Sequence, residues 1–405
     1  MTVTAARPAV PLPLVIIAGC IIAAIGFGTR GSFGLFTLPV TEDLGLSRQQ
    51  WGMAMAVQNL VWGIAQPFAG GMADKYGAGR VLAVGGVVYA LGVLGMAYSP
   101  DTLTMTLTAG LVTGVGITIA SFGVVMAAFG RVVPAEKRSF VFGIATAASS
   151  AGQFIFAPLG QGFISAFGWQ MALVWIALIL LLVIPLSAAL RGRTESVPGE
   201  ADLPFMQALS RAWGHGSYRL LVIGFFVCGF HLAFINVHMP AYLVQCGLSP
   251  EVGSWTIAVI GLFNIVGSLL SGWLGSHLPK QMLLATIYFL RALLIAAFLL
   301  IPVSEVTAYA FAAGMGLLWL STVPLTAGLV SLFFGPRYMG MLYGIAFLSH
   351  QIGSFVGVWL GGVVYDQTGA YDLVWYLGIL LGLGSAAIHI PINERSATNF
   401  ALKSA

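Results

Sequence analysis

Apolar runs of roughly 18 to 25 residues recur along the whole chain, separated by short polar turns. No water enters bilayer hydrocarbon to satisfy backbone groups, so each run must be a helix. Twelve such spans are predicted, α1 to α12, at residues 14–38, 51–70, 81–98, 103–129, 140–167, 171–190, 220–244, 254–275, 282–303, 308–334, 339–364 and 373–390. The first run is too long for a signal-peptide core and lacks a small-residue cleavage site, so it is read as a retained helix.

Composition agrees with a membrane solvent. The 405 residues are 59% hydrophobic and 7% charged, with a mean hydropathy of +0.95, whereas about a quarter of an ordinary soluble domain is charged. Lysines and arginines sort by side. With the N-terminus inside, fourteen fall on inner segments and Arg48 alone outside, which places both termini in the cytoplasm. The net charge of +4 therefore reports topology, and no soluble basic face suggests nucleic acid. Cys20, Cys228 and Cys246 have no metal or redox spacing.

The longest polar stretch, 191–219, carries Pro198, Gly199 and three acids and divides the spans six and six. It is read as a linker between an N-terminal bundle, 1–190, and a C-terminal bundle, 220–405. Residues 203–213 within it are predicted to form a short surface helix. The halves also repeat: 142–152 in α5 aligns with 343–353 in α11 at an offset of 201, and Gly168 then meets Gly369. After α2, Gly70-Gly-Met-Ala-Asp74 matches Gly272-Trp-Leu-Gly-Ser276 after α8, the acid being lost in the second copy.

The loop Gly70-Gly-Met-Ala-Asp74-Lys75-Tyr-Gly77-Ala-Gly-Arg80 resembles the signature loop of the major facilitator superfamily, and the six-plus-six repeat covers the chain. That resemblance implies an all-α membrane protein of two six-helix bundles around a central cavity, worked by alternating access. It also implies a cytoplasmic gate built from Gly70, Asp74, Lys75, Gly77 and Arg80 with Arg138. Gly70 would allow close helix approach and Gly77 a tight turn; Asp74 would bind helix amides or a basic partner. The texture of α5, α7 and α8 is similar to bacterial monocarboxylate porters and oxalate/formate exchangers. It departs from them in α8, where Asn264 is followed one turn later by Ser268 and the carboxylate-binding arginine of many such carriers is missing.

Only two charged residues fall inside predicted spans, Arg30 and Arg291, and none of the 13 acids does. A guanidinium deep in a bilayer costs about 3 kcal/mol unless it meets a wet cavity or a partner. Arg30 is read either as a fork-shaped carboxylate site or as an outer-gate donor to backbone carbonyls. Arg291, two turns from the inner end of α9, is expected to snorkel to the cytoplasmic headgroups, with interhelix packing or a substrate role as the alternatives. Further substrate-site candidates are Gln153, His231, Asn236, Asn264, His350, Gln351 and Trp319. His231, His238 and His350 are the titratable candidates for proton coupling; each also reads as a hydrogen-bonded packing residue. His389 is expected at the inner interface. Pro324 is expected to kink α10.

No metal-ligand cluster, phosphate loop or nucleophile with an orienting acid is present, so neither enzyme activity nor a cofactor is expected. The expected function is secondary transport of a small organic anion, a monocarboxylate, with or without a proton, by a monomer in a bacterial inner membrane. The alternative is proton-coupled export of hydrophobic compounds: the Ala157-Pro-Leu-Gly160-Gln-Gly162 string partly resembles the antiporters' α5 motif, but their α4 arginine is missing.

Overall fold

The computed structural model describes residues 10–133, 135–191 and 205–395; within them the side chains at 74, 131, 135, 136, 138–140, 205, 336 and 337 lie outside the description. Every regular element among the described residues is helical. Ten helical runs are long and apolar enough to cross a membrane. One of them, Val141–Leu190, takes in both α5 and α6, which turn at Gly168 with φ +79°. The less apolar 29-residue helix Arg48–Tyr76, the predicted α2, lies between the first two runs. The short helix Phe205–Trp213 forms where the linker pattern placed one.

The first run extends further than its hydropathy suggests. Leu12–Ser32 continues through a 3-10 turn, Phe33–Phe36, into Thr37–Leu44. Arg30 therefore has 18 residues before it (30 − 12) and 14 after it (44 − 30), and sits near the middle of the run.

Helix contacts within each half rest on small residues that let backbones approach. A Cβ on Gly152 of α5 would overlap Ala24 O of α1, and one on Gly353 of α11 would overlap Phe226 O of α7. These two glycines are the pair aligned by the sequence repeat. Their aligned companions Gly168 and Gly369 both hold positive φ, +79° and +71°, at helix ends, a region that favours glycine.

Among the described residues the N- and C-terminal spans interlock closely at one end. At the end bearing Arg48, the Asp366 carboxylate of α11 accepts hydrogen bonds from the Arg48 and Gln49 amides of α2 at 3.0 and 2.9 Å, so an acid from one half caps a helix N-terminus in the other. Thr37 donates to Val237 O at 3.1 Å, and a Cβ on Gly34 would overlap Asn236 O. Asn264 of α8 donates to Ser150 of α5 at 2.8 Å. Towards the opposite end, where α1 begins and α12 ends, the described contacts between the halves are looser: a Cβ on Gly143 would lie 3.8 Å from Leu269 and one on Gly344 3.9 Å from Pro67. Cβ atoms on Gly70, Gly71, Gly272 and Gly340 would meet nothing within 4 Å.

Helix ends follow their sequence signals. Ser47 and Gln50 form a capping box on α2. His215 caps α7 by accepting from the Tyr218 amide through Nδ1 at 3.3 Å; burial holds its imidazole below the usual pKa, which keeps that acceptor free. The helix 10 break comes just before Pro324: Glu305–Leu318 stops and a new helix starts at Thr322. Proline at 324 cannot donate back to Leu320, which loosens that turn.

Candidate functional site

Where the interlocked end gives way to the looser one, a small cavity is lined by Arg30 and Phe33 of α1, Met55, Gln58 and Asn59 of α2, and Ala233, Asn236 and Val237 of α7. The room left is about that of one water. Arg30 is half-buried and donates through Nη2 to Asn59 Oδ1 at 2.6 Å. Its guanidinium lies 4.8 Å from the centre of the Trp62 ring, a cation–π geometry, and its Nε is buried without a partner. Among the described residues no carboxylate pairs with it, and no main-chain carbonyl does. The surrounding amides are themselves fixed: Gln58 donates to Ala109 O at 2.7 Å, and Asn59 to Met55 O at 2.8 Å.

The other predicted site residues divide into neighbours of this cavity and distant packing groups. Asn236 lines it. Gln153 stands against Gly31, whose added Cβ would lie 3.0 Å from Gln153 Cγ, and donates to Ile257 O at 3.3 Å. Gln351 packs on Gly63 of α2 and has a buried, unpartnered Nε2. His350 is buried beside it, 3.3 Å from Gln351 Oε1 and stacked on Phe347. Phe347 in turn meets the Trp62 ring edge-on at 5.2 Å.

His231 and His238 do not reach the cavity. Each bonds through Nε2 at 2.8 Å to a carbonyl within the C-terminal half, Gly378 O and Val358 O respectively. Their shared face turns to α11 and α12, because seven residues return a helix to the same side. Asn264 also serves packing: besides Ser150, it accepts the Leu320 amide at 3.0 Å in the α10 break. Trp319 is buried in that same break.

Arg291 is a correction. It does not snorkel; it is fully buried and donates from Nε and Nη2 to Leu318 O, and from Nη2 to Trp319 O. The α10 break frees those carbonyls, and the guanidinium fork satisfies them inside the protein. His389 likewise is buried, stacked on Tyr288 at 5.0 Å, and not at an interface.

At the end opposite Arg48, Gly77 makes the expected tight turn between α2 and α3 with φ +90°. Gly70, expected at a close approach, has nothing within 4 Å of an added Cβ. Lys75 and Arg80 are exposed. The side chains of Asp74 and Arg138 lie outside the described residues. The residues that sequence reasoning undervalued are Asn59, Trp62 and Asp366. Asn59 falls four residues from Met55 and one turn from Trp62 on a glycine-flanked helix, but nothing in that spacing points at Arg30.

Helices of membrane length that enclose a small cavity with Arg30 in its lining define a multi-pass membrane protein. Residues 18–358 match the Major Facilitator Superfamily, and the chain belongs to that family. It is similar to the uncharacterised MFS-type transporter YcxA of Bacillus subtilis, 28% identical over 92% of this chain and 93% of the relative. It is also similar to monocarboxylate transporter 13 of Rattus norvegicus, 25% identical over 93% and 87%. The fold matches a bacterial homologue of the human lysosomal transporter Spinster, in an inward-facing, unoccupied conformation, with a TM-score of 0.73, 15% identity and 95% and 97% coverage. A D-xylose-proton symporter matches with a TM-score of 0.73, 14% identity and 94% and 96% coverage.

Proposed function

We propose that this chain is a secondary transporter for a small organic anion, a monocarboxylate, with Arg30 as its carboxylate-binding group. The observation that carries the reading is the state of that guanidinium: it sits near the middle of the first membrane-length run, lines the cavity, is held by a neutral amide, and keeps Nε free. A positive charge that costs energy to place there and has no acid partner suits an anionic ligand. Similarity to monocarboxylate transporters supports the same class.

On this reading the protein has twelve spans in two duplicated bundles, joined by the 191–219 linker, with both termini cytoplasmic in a bacterial inner membrane. The basic inner segments support that orientation, and the Asp366 end is then the outer one. With that orientation the Asp366 end closes the outer side, as one of the two states of alternating access requires. His350, three residues from Phe347 on α11, is the remaining histidine candidate for a proton; His231 and His238 serve packing.

In proteoliposomes, Arg30→Gln is expected to reduce uptake of labelled monocarboxylates to background while the protein stays folded. Arg30→Lys should lose about tenfold or more, because an ammonium cannot reproduce the planar fork. Near-normal uptake by Arg30→Gln would end the proposal.

A further inference from the structure

Arg30 is gripped on two sides by residues of α2. On one side is Asn59 Oδ1, and its orientation is unambiguous: Nδ2 is committed to Met55 O at 2.8 Å, which turns the carbonyl oxygen to the guanidinium. On the other side is the Trp62 ring, 4.8 Å from Arg30 Cζ. The indole is itself locked, its Nε1 donating to Gln66 Oε1 at 2.8 Å and Gln66 donating onward to Ser121. A carboxylate in place of the Asn59 amide would fit the same geometry and bond the guanidinium more strongly; the chain has the amide instead.

Building on the anion-site reading, we propose that Asn59 and Trp62 are positioning residues that orient Arg30 without neutralising it. Asn59 supplies the acceptor that aligns the fork, and being neutral it leaves the full positive charge to the ligand. Trp62 supports the guanidinium by its face, an attraction that also leaves the charge intact. Its ring meets Phe347 of α11 at 5.2 Å and 73°, so the support of the charged group is also a point of contact between the halves. A ligand that shifts Arg30 would move that ring, and with it the aromatic contact between α2 and α11.

Aspartate at 59 keeps the shape and the acceptor towards Arg30 but loses the donor to Met55 O, so the role of Asn59 is read from the reactivity of Arg30 and not from stability. If Asn59 spares the charge, the introduced carboxylate pairs with Arg30 and occupies the site. The test is arginine modification by phenylglyoxal on purified full-length protein, followed at Arg30 by peptide mass spectrometry with and without propionate. Wild-type Arg30 should be modified and should be protected by propionate. In Asn59→Asp the rate should fall about tenfold and propionate should add no protection, since the ion pair already shields the group. In Asn59→Ala and Trp62→Leu, modification should persist while the propionate needed for protection rises about tenfold; Trp62→Phe should restore most of it.

Equal reactivity and equal protection in Asn59→Asp and wild type would overturn the positioning role. Failure of propionate to protect wild-type Arg30, with the Asn59→Asp rate still depressed, would overturn the anion-site reading and leave the positioning role standing. An Arg30 that resists the reagent in the wild type would overturn both.

Discussion

Two arginines inside the membrane run have opposite fates because of what their nitrogens find. Arg291 meets carbonyls released by the α10 break and gives them Nε and Nη2, its Nη1 remaining without a partner, whereas Arg30 meets one side-chain amide and an aromatic face but no main-chain carbonyl. Replacing Arg291 by methionine would strand the Leu318 and Trp319 carbonyls, at a cost of about 3 kcal/mol. Thermal unfolding in detergent should show that loss, with Arg291→Lys intermediate; an unchanged midpoint would mean that the break does not depend on the clamp. Both arginines were legible in the sequence as costly residues, and their exceptional status was right. Their roles were not legible, because hydropathy gives depth but not the carbonyls and amides that another helix brings.

At the scale of elements, the end closure turns on one helix cap. Asp366 takes two amides at the start of α2 from across the interface, and Arg48 lies over the neighbouring Tyr365 ring at 5.2 Å. Asp366→Ala should weaken this closure by about 1 kcal/mol, roughly a fivefold shift in the ratio of closed to open at that end. Spin labels on the exposed Glu42 and Asp372 positions would report it as a longer-distance population, and Asp366→Asn should show a smaller shift because the acceptor remains. An unaltered distance distribution would show that the cap is incidental. Span boundaries came within a few residues of the pattern, except that α1 runs on through its 3-10 turn. Thr41 and Glu42 lie beyond the predicted span 14–38, yet Thr41 is buried and donates to Thr37 O as the helix continues. In α10 the proline marked the region of the break, while its position at Trp319–Ser321 depends on the partners there, Arg291, Asn264 and Ser271.

For the whole molecule, the repeat at offset 201 predicts that equivalent glycines carry equivalent loads. Gly152→Ala and Gly353→Ala each put a methyl group into a facing helix backbone, and each should cost about 1 to 3 kcal/mol of stability, read as similar drops in unfolding midpoint. A large effect in one half with none in the other would count against duplicated packing. The amino-acid sequence by itself determined the helical class, the membrane-length apolar runs and the scarcity of charge within them, because these depend on hydropathy and spacing along one chain. Tertiary structure decided which arginine donates to carbonyls, which histidines face their own bundle, and that Asn59 and Trp62 grip Arg30. Those outcomes depend on atoms brought together from separate helices, and Arg30 meets Asn59 across 29 residues of sequence that no single-helix periodicity spans.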